Sequence, residues 1–194
     1  MNDESNSDEN NLADFEIIRR TQSWLERAVI GLNLCPFAKA VHRKNQIRYV
    51  VSAAIDRDAL ATNLRGELLF LKNSDPNLID TTLIIHPNIL TDFLDFCGFL
   101  PVANRILKSL KLTGEIQIAN FHPLYVFSNA ASDAVENFTN RSPFPMLHLL
   151  RDASIARAIA AFPDTDSIYQ NNIDTMQKLG VAEWHRLMDD RSRK

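Results

Sequence analysis

Thr81-Thr82-Leu83-Ile84-Ile85-His86-Pro87 reads as an apolar β-strand that stops at a His-Pro pair. Ile118-Ala119-Asn120-Phe121-His122-Pro123 has the same form, and Ile47-Arg48-Tyr49-Val50-Val51-Ser52 is a third run rich in β-branched and aromatic residues. The stretches between them have helical length. Asp56 is placed to cap a helix over 57–72, and Asn73-Ser74-Asp75-Pro76-Asn77 is a turn cluster. Thr91 is placed to cap a further helical region reaching about Leu112, with a kink or break expected at Gly98 and Pro101. Strands separated by such helices imply right-handed parallel crossovers. Residues 47–122 therefore read as a βαβαβ core: an α/β fold with a small, mostly parallel sheet.

Outward from this core the pattern turns helical on both sides. Phe15, Ile18, Leu25, Ala28, Val29 and Leu32 recur at helical spacing, so an amphipathic helix begins near Leu12. Beyond a short strand expected at Leu124–Phe127, helices are expected over 145–162 and 164–179, the latter closed by Gly180, and over 181–188. Residues 1–11 carry Asp3, Glu4, Asp8 and Glu9 with no basic residue, and are expected to be a disordered acidic tail; residues 12–194 suit a single domain.

The tail supplies the acidic excess, so the rest of the chain is close to neutral, which argues against a nucleic-acid partner. The longest uncharged stretch, about 97–104, is far shorter than the roughly 20 residues a membrane helix needs, so no membrane partner is expected. Cys35 and Cys97 are the only cysteines, with no Cys-x-x-Cys pair and no signal-peptide pattern, which points to a reducing cytoplasm. Gly-rich phosphate loops, nucleophile elbows and His-Glu-x-x-His are all missing from the sequence. Known nucleotide folds are thereby disfavoured, and the cofactor is left unknown.

Three groups of residues carry candidate chemistry. In a sheet of parallel strands, ligands bind at the carboxyl edge, where both His-Pro pairs fall, and Asn120 and His122 share a face of their strand. If a helix starts near Pro145, then His148, Arg151 and Asp152 lie at i, i+3 and i+4 on one face. Arg141 and Ser142 then stand beside its N-terminus, a setting that suits an anion. Cys35, with Pro36 as the first residue of a short helix and Lys39 one turn on, has features that favour a thiolate. The basic run Lys39, His42, Arg43, Lys44 and Arg48 is placed to steer an anionic ligand or to form a solvated loop.

The segments Asn33-Leu34-Cys35-Pro36-Phe37-Ala38, Asn120-Phe121-His122-Pro123-Leu124-Tyr125-Val126-Phe127 and Ser142-Pro143-Phe144-Pro145, with His148-Leu149-Leu150-Arg151, together resemble the bacterial family known as domain of unknown function 1415. The resemblance covers nearly the whole chain after the tail and brings no assigned activity. It implies that Cys35, His122, Arg141, His148 and Arg151 form one motif set, to which His86-Pro87 does not belong. The expectation is a protein that binds or turns over a small phosphate or carboxylate ligand. Arg141, Arg151, Ser142, Asn120 and Lys39 would hold it, and His122, His148 and Cys35 would supply the chemistry. Two rivals stand beside it. One is a metal site of His122, His148 and either His86 or Cys35; the other is a non-catalytic interaction protein in which these motifs only lock helices to the sheet.

Overall fold

The computed structural model describes residues 3–161 and 166–189. A first helix α1 (Asp3–Trp24) continues into a π-helical turn (Leu25–Ile30), followed by α2 (Ala38–Arg43), β1 (Ile47–Val51), α3 (Arg57–Asn73), β2 (Thr81–Ile85) and α4 (Phe93–Ser109). Then come β3 (Ile116–Phe121), a 3-10 turn (Val135–Asn140), β4 (Met146–Arg151), α5 (Asp152–Ala161) and α6 (Asp166–Met188). Helix α1 begins inside the acidic segment; Met1 and Asn2 lie outside the described residues.

The chain is α/β, but its sheet is not mostly parallel. The strand order is β1-β2-β4-β3. Strands β1 and β2 pair in parallel, while β4 pairs antiparallel with both β2 and β3. The three expected strands do run in one direction, yet β4 separates β2 from β3, so the uninterrupted βαβαβ arrangement is replaced by a split one. The cause lies in 146–151, which the sequence reading places in a helix. Met146-Leu147-His148-Leu149-Leu150 is apolar at nearly every position because β4 is central and buried on both faces. Leu147 and Leu149 enter one core, and Met146 the other. A strand of that kind has no alternation to betray it.

Both crossover helices pack on one face. Leu60, Leu64, Leu68 and Leu71 of α3 and Phe96, Phe99 and Ala103 of α4 are buried against Ile84, Ile116, Leu147 and Leu149. Each of the four leucines stabilises the fold by about 2 kcal/mol through burial. Asp56 caps α3, accepting from Ala59 N–H at 2.8 Å. Helix α4 is capped by Asp92 rather than Thr91, with Leu94 and Asp95 N–H at 2.9 and 3.0 Å, and it continues through Gly98 and Pro101. The opposite face is covered by the chain's two ends. Trp24, Leu25, Ala28 and Val29 meet Met176 and Trp184 of α6 over Leu83, Ile85 and Met146. Gly180, at φ 73° and ψ 163°, breaks α6 where the sequence placed a helix end.

Leu124–Phe127 forms a braced loop rather than a strand. Tyr125 N–H turns back to His122 O at 3.1 Å, and Phe127 N–H is held by Asn137 Oδ1 at 2.9 Å. Among the described residues no helix is long and apolar enough to cross a membrane.

Candidate functional site

The sheet face under the chain's two ends is incompletely covered, because α2 has only six residues. A cavity of about 910 Å³ remains there, within the size range of small-molecule sites. Its floor is the sheet: Thr81 and Leu83 of β2, Ala119 and Phe121 of β3, His148 and Leu150 of β4. Trp24, Leu25 and Val29 form one wall, and the corner Cys35-Pro36-Phe37 closes over the top. The wall is wide because the chain makes a π-helical turn there, marked by Gly31 N–H bonding Glu26 O at 2.9 Å. A Cβ at Gly31 would stand 2.2 Å from Arg27 O, so this exit from the turn demands glycine. Trp24 pins the wall to the rest of the fold through Nε1–H to Arg141 O at 2.9 Å and an edge contact with Phe121. Asn172 of α6 fastens the cysteine corner by donating to Leu34 O at 2.9 Å.

The cavity lies toward the amino ends of β1, β2 and β3, away from the carboxyl edge where His86 and His122 sit. Its rim carries the exposed cations Lys44 and Arg157. Behind them the buried Asp80 accepts from Ser154 Oγ at 2.5 Å, which in turn accepts from Arg157 at 2.8 Å.

His148 is one of the polar groups on the floor, with Thr81 and Gln117, and its tautomer follows from its neighbour. The Thr81 hydroxyl has one proton and donates it to Leu149 O at 2.7 Å. Its 2.6 Å contact with His148 Nε2 must therefore run from Nε2–H to the Thr81 oxygen. That leaves Nδ1 as a lone pair with no partner among the described residues, on a side chain that lines the cavity. Burial pushes the His148 pKa down to about 4, so the ring is neutral near pH 7. Burial likewise pushes the Cys35 thiol up, opposed by the N–H groups of Phe37 and Ala38. The resting thiol is therefore protonated, contrary to the expectation of a thiolate. Pro36 and Phe37 form a turn ahead of α2, so Cys35 is not the cap of that helix.

Of the remaining expected site residues, Arg151 also lines the cavity, and the others are elsewhere. His122 is fully buried on the α4 side of the sheet. Leu124 N–H donates to its Nδ1 at 3.0 Å, so Nε2–H donates to Leu90 O at 3.0 Å, with Phe93 and Phe96 packed on the ring. Burial lowers its pKa. His86 stands beside it against Phe96, its Nδ1–H bound to Ile89 O at 3.0 Å and its Nε2 buried without a partner; burial takes it down to about 4. The two His-Pro pairs do meet, as a pair of neutral core histidines. His122 and His148 point to opposite faces of the sheet, so they cannot hold one ion. Among the described residues no group of three His, Cys, Asp or Glu is arranged to bind a metal.

Arg141 donates to Tyr125 O and Ser132 O and lies over Phe138 at 4.1 Å, bracing the 122–140 loop. Arg151 donates to Leu71 O and Ser74 O at the carboxyl end of α3, favourable to the helix dipole, and to Ile79 O in the loop before β2. Because β4 is a strand, His148 and Arg151 face opposite ways. Ser142 Oγ closes a local turn onto Phe144 O at 2.6 Å, Asn120 lies on the His122 side, and Lys39 is exposed outside the cavity lining. The basic run is answered by acids from elsewhere, with His42 at 3.4 Å from Glu26 and Arg48 at 2.9 Å from Glu67. Cys97 is half-buried rather than core. Of the residues that line the cavity, Lys44 belonged to the basic run read as able to steer an anion, whereas Thr81, Asp80, Gln117 and Arg157 were not singled out as a site. A Thr in a strand buried on both faces is the one signal the sequence offered.

The family described as a protein of unknown function, DUF1415, matches residues 16–186. The chain belongs to this family. No curated protein and no solved structure matches it. In this DUF1415 chain Cys35, His148 and Arg151 line the cavity, Arg151 while also bonding backbone carbonyls, whereas His122 and Arg141 bond backbone carbonyls away from it.

Proposed function

We propose that this protein binds a small acid, an apolar body bearing a carboxylate or phosphate, in the cavity between the sheet and the cysteine corner, and acts on it with His148 as proton acceptor. The observation that carries the reading is the locked tautomer: Thr81 holds Nε2–H, and the Nδ1 lone pair is an unpartnered acceptor at the cavity floor. A neutral imidazole with one free nitrogen can accept a proton or a hydrogen bond, and burial, by lowering its pKa to about 4, keeps it in that form while making it a weaker base than an exposed ring. Around it the walls are mostly apolar, and Lys44 and Arg157 at the rim favour an anionic end. These two cations stand with Arg151, which lines the cavity while one guanidinium nitrogen bonds carbonyls, whereas Arg141 lies outside it. Two free cysteines suit action in a reducing, cytoplasmic compartment.

Thermal unfolding against a panel of aliphatic and aromatic carboxylates and phosphates tests this. A ligand at 100 times its Kd stabilises by about 2.7 kcal/mol, a rise in Tm of roughly 5–10 °C for a chain of this size. Ala119, whose register partner is His148, lines the floor, and Ala119→Leu narrows it. The rise is expected in the wild type and lost in Ala119→Leu. If no acid in the panel moves the wild-type Tm, the reading is wrong.

A further inference from the structure

Strand β4 sends Leu147 and Leu149, both fully buried, into the core under α3 and α4, and turns His148 the other way, where its side chain keeps accessible surface and lines the cavity. Its register partners are Leu83 on β2 and Ala119 on β3, so both flanking side chains are hydrocarbon, and the Phe121 ring lies 6.1 Å away, tilted by 37°. Ala119 ends at its Cβ, and the space beside the imidazole belongs to the cavity. The lone pair on Nδ1 is an acceptor that no described residue answers. A molecule that displaces water from such an acceptor without supplying a donor loses a hydrogen bond, whereas one that brings the donor keeps it.

The surroundings decide which donor fits. An ammonium would bring positive charge into a mostly apolar cavity whose rim already carries Lys44 and Arg157, and the carboxylate among the lining residues, Asp80, already accepts from Ser154 Oγ at 2.5 Å. An uncharged donor meets neither objection, and a hydroxyl is the smallest. Its own lone pairs fall on a floor that also carries the Gln117 amide, a donor. We infer that the ligand is a hydroxy acid, with its anionic end at Lys44 and Arg157, its apolar body against Trp24 and Leu83, and a hydroxyl on that body donating to His148 Nδ1. The inference rests on the ligand reading above and narrows it from acids in general to those with a hydroxyl set apart from the acid group. His148 and Thr81 are then specificity residues. The Thr81 oxygen holds Nε2–H, so the neutral ring only accepts at Nδ1 and discriminates against analogues that lack a donor.

The test is calorimetric titration of the full-length protein with matched acids: 3-phenylpropanoate and its ortho-, meta- and para-hydroxy derivatives, and octanoate beside 8-hydroxyoctanoate. At least one hydroxy acid is expected to bind about tenfold more tightly than its parent, the scale of one added neutral hydrogen bond. Its fluoro analogue, close in size and unable to donate, is expected to lose that gain. In His148→Phe, which keeps a flat ring and removes both nitrogens, the ratio of affinities between hydroxy acid and parent is expected to fall to about one. If parent acids bind and no hydroxy acid binds more tightly, the inference falls and the binding reading stands; if no acid of either kind binds, both fall. A gain kept by the fluoro analogue, or kept in His148→Phe, also overturns the inference, since His148 is then not reading a donor. Should His148→Phe not fold, the fluoro comparison in the wild type decides.

Discussion

Acid should unfold this protein through two imidazoles on opposite faces of one sheet. His86 and His148 both have pKa values near 4 because burial disfavours their charged forms, against 6.5 for an exposed ring. The unfolded chain takes up both protons as the pH falls below 6.5, while the folded protein resists until about 4. The stabilisation from keeping each ring neutral is thus complete above pH 6.5 and is lost as the pH drops toward 4. At about 1.4 kcal/mol per pH unit, each ring destabilises by roughly 3 kcal/mol in the acid limit and by about 2.5 kcal/mol at pH 4.5. His122, which packs beside His86 against Phe96, shifts in the same direction and adds to the trend. The assay is urea unfolding at pH 7.5 and 4.5 of the wild type, His86→Asn and His148→Gln. These substitutions keep an amide donor in place of the donating ring nitrogen while removing the titration. Protonation of carboxylates is common to all three proteins and cancels. Each variant should lose about 2.5 kcal/mol less than the wild type on acidification, and the double variant about 5. Parallel pH profiles for wild type and variants would refute the reasoning.

Three further substitutions probe the scaffold. Arg151→Ala removes the donor to three carbonyls at the end of α3, and should cost about 3 kcal/mol in urea unfolding, the scale of a lost charged hydrogen-bond network; a change under about 0.5 kcal/mol would return Arg151 to the ligand-binding role first expected of it. Gly180→Ala places a side chain in a backbone region that essentially only glycine occupies. With nothing within 4 Å of the added Cβ, the expected loss of about 1–3 kcal/mol is backbone strain alone, measurable by thermal melting. Asp92→Ala removes the α4 cap and should cost about 1 kcal/mol, whereas Thr91→Ala should change stability little; the reverse order would return the cap to Thr91.

The stretch from β1 to β2 was legible because its signals are local. Asp56 caps where it should, the turn after Asn73 breaks the helix, and Thr81–Ile85 has the expected bounds. Residues 146–151 were not legible, because a strand buried on both faces is apolar throughout, and His148, Arg151 and Asp152 happen to satisfy helical spacing too. In a strand His148 and Arg151 alternate in direction and do not share a helix face, so the helical spacing did not give their arrangement, although both line the cavity. Cys35 and His148 were recognisable as reactive residue types. Their meeting in a cavity was not, since it depends on how far the chain's two ends extend over the sheet, which is a property of tertiary packing and not of any local pattern. His122 shows the converse: an imidazole at a strand end, conspicuous in sequence, bonds Leu90 O and Leu124 N–H within the core.

The central strand of the sheet is the last of the four to be synthesised. Until residues 146–151 leave the ribosome, β1 and β2 can pair with each other but β3 has no neighbour, because its only ladder is to β4. Before that, the β1–β2 pair and the lone β3 each present open hydrogen-bonding edges of the kind that invite other chains. β4 acts as a keystone, sliding between two edges that must already be aligned, and the loop closure it completes is long-range, which slows folding. The cavity, floored by β2, β3 and β4 together, exists only after that insertion. The pocket and the finished sheet arise in one event.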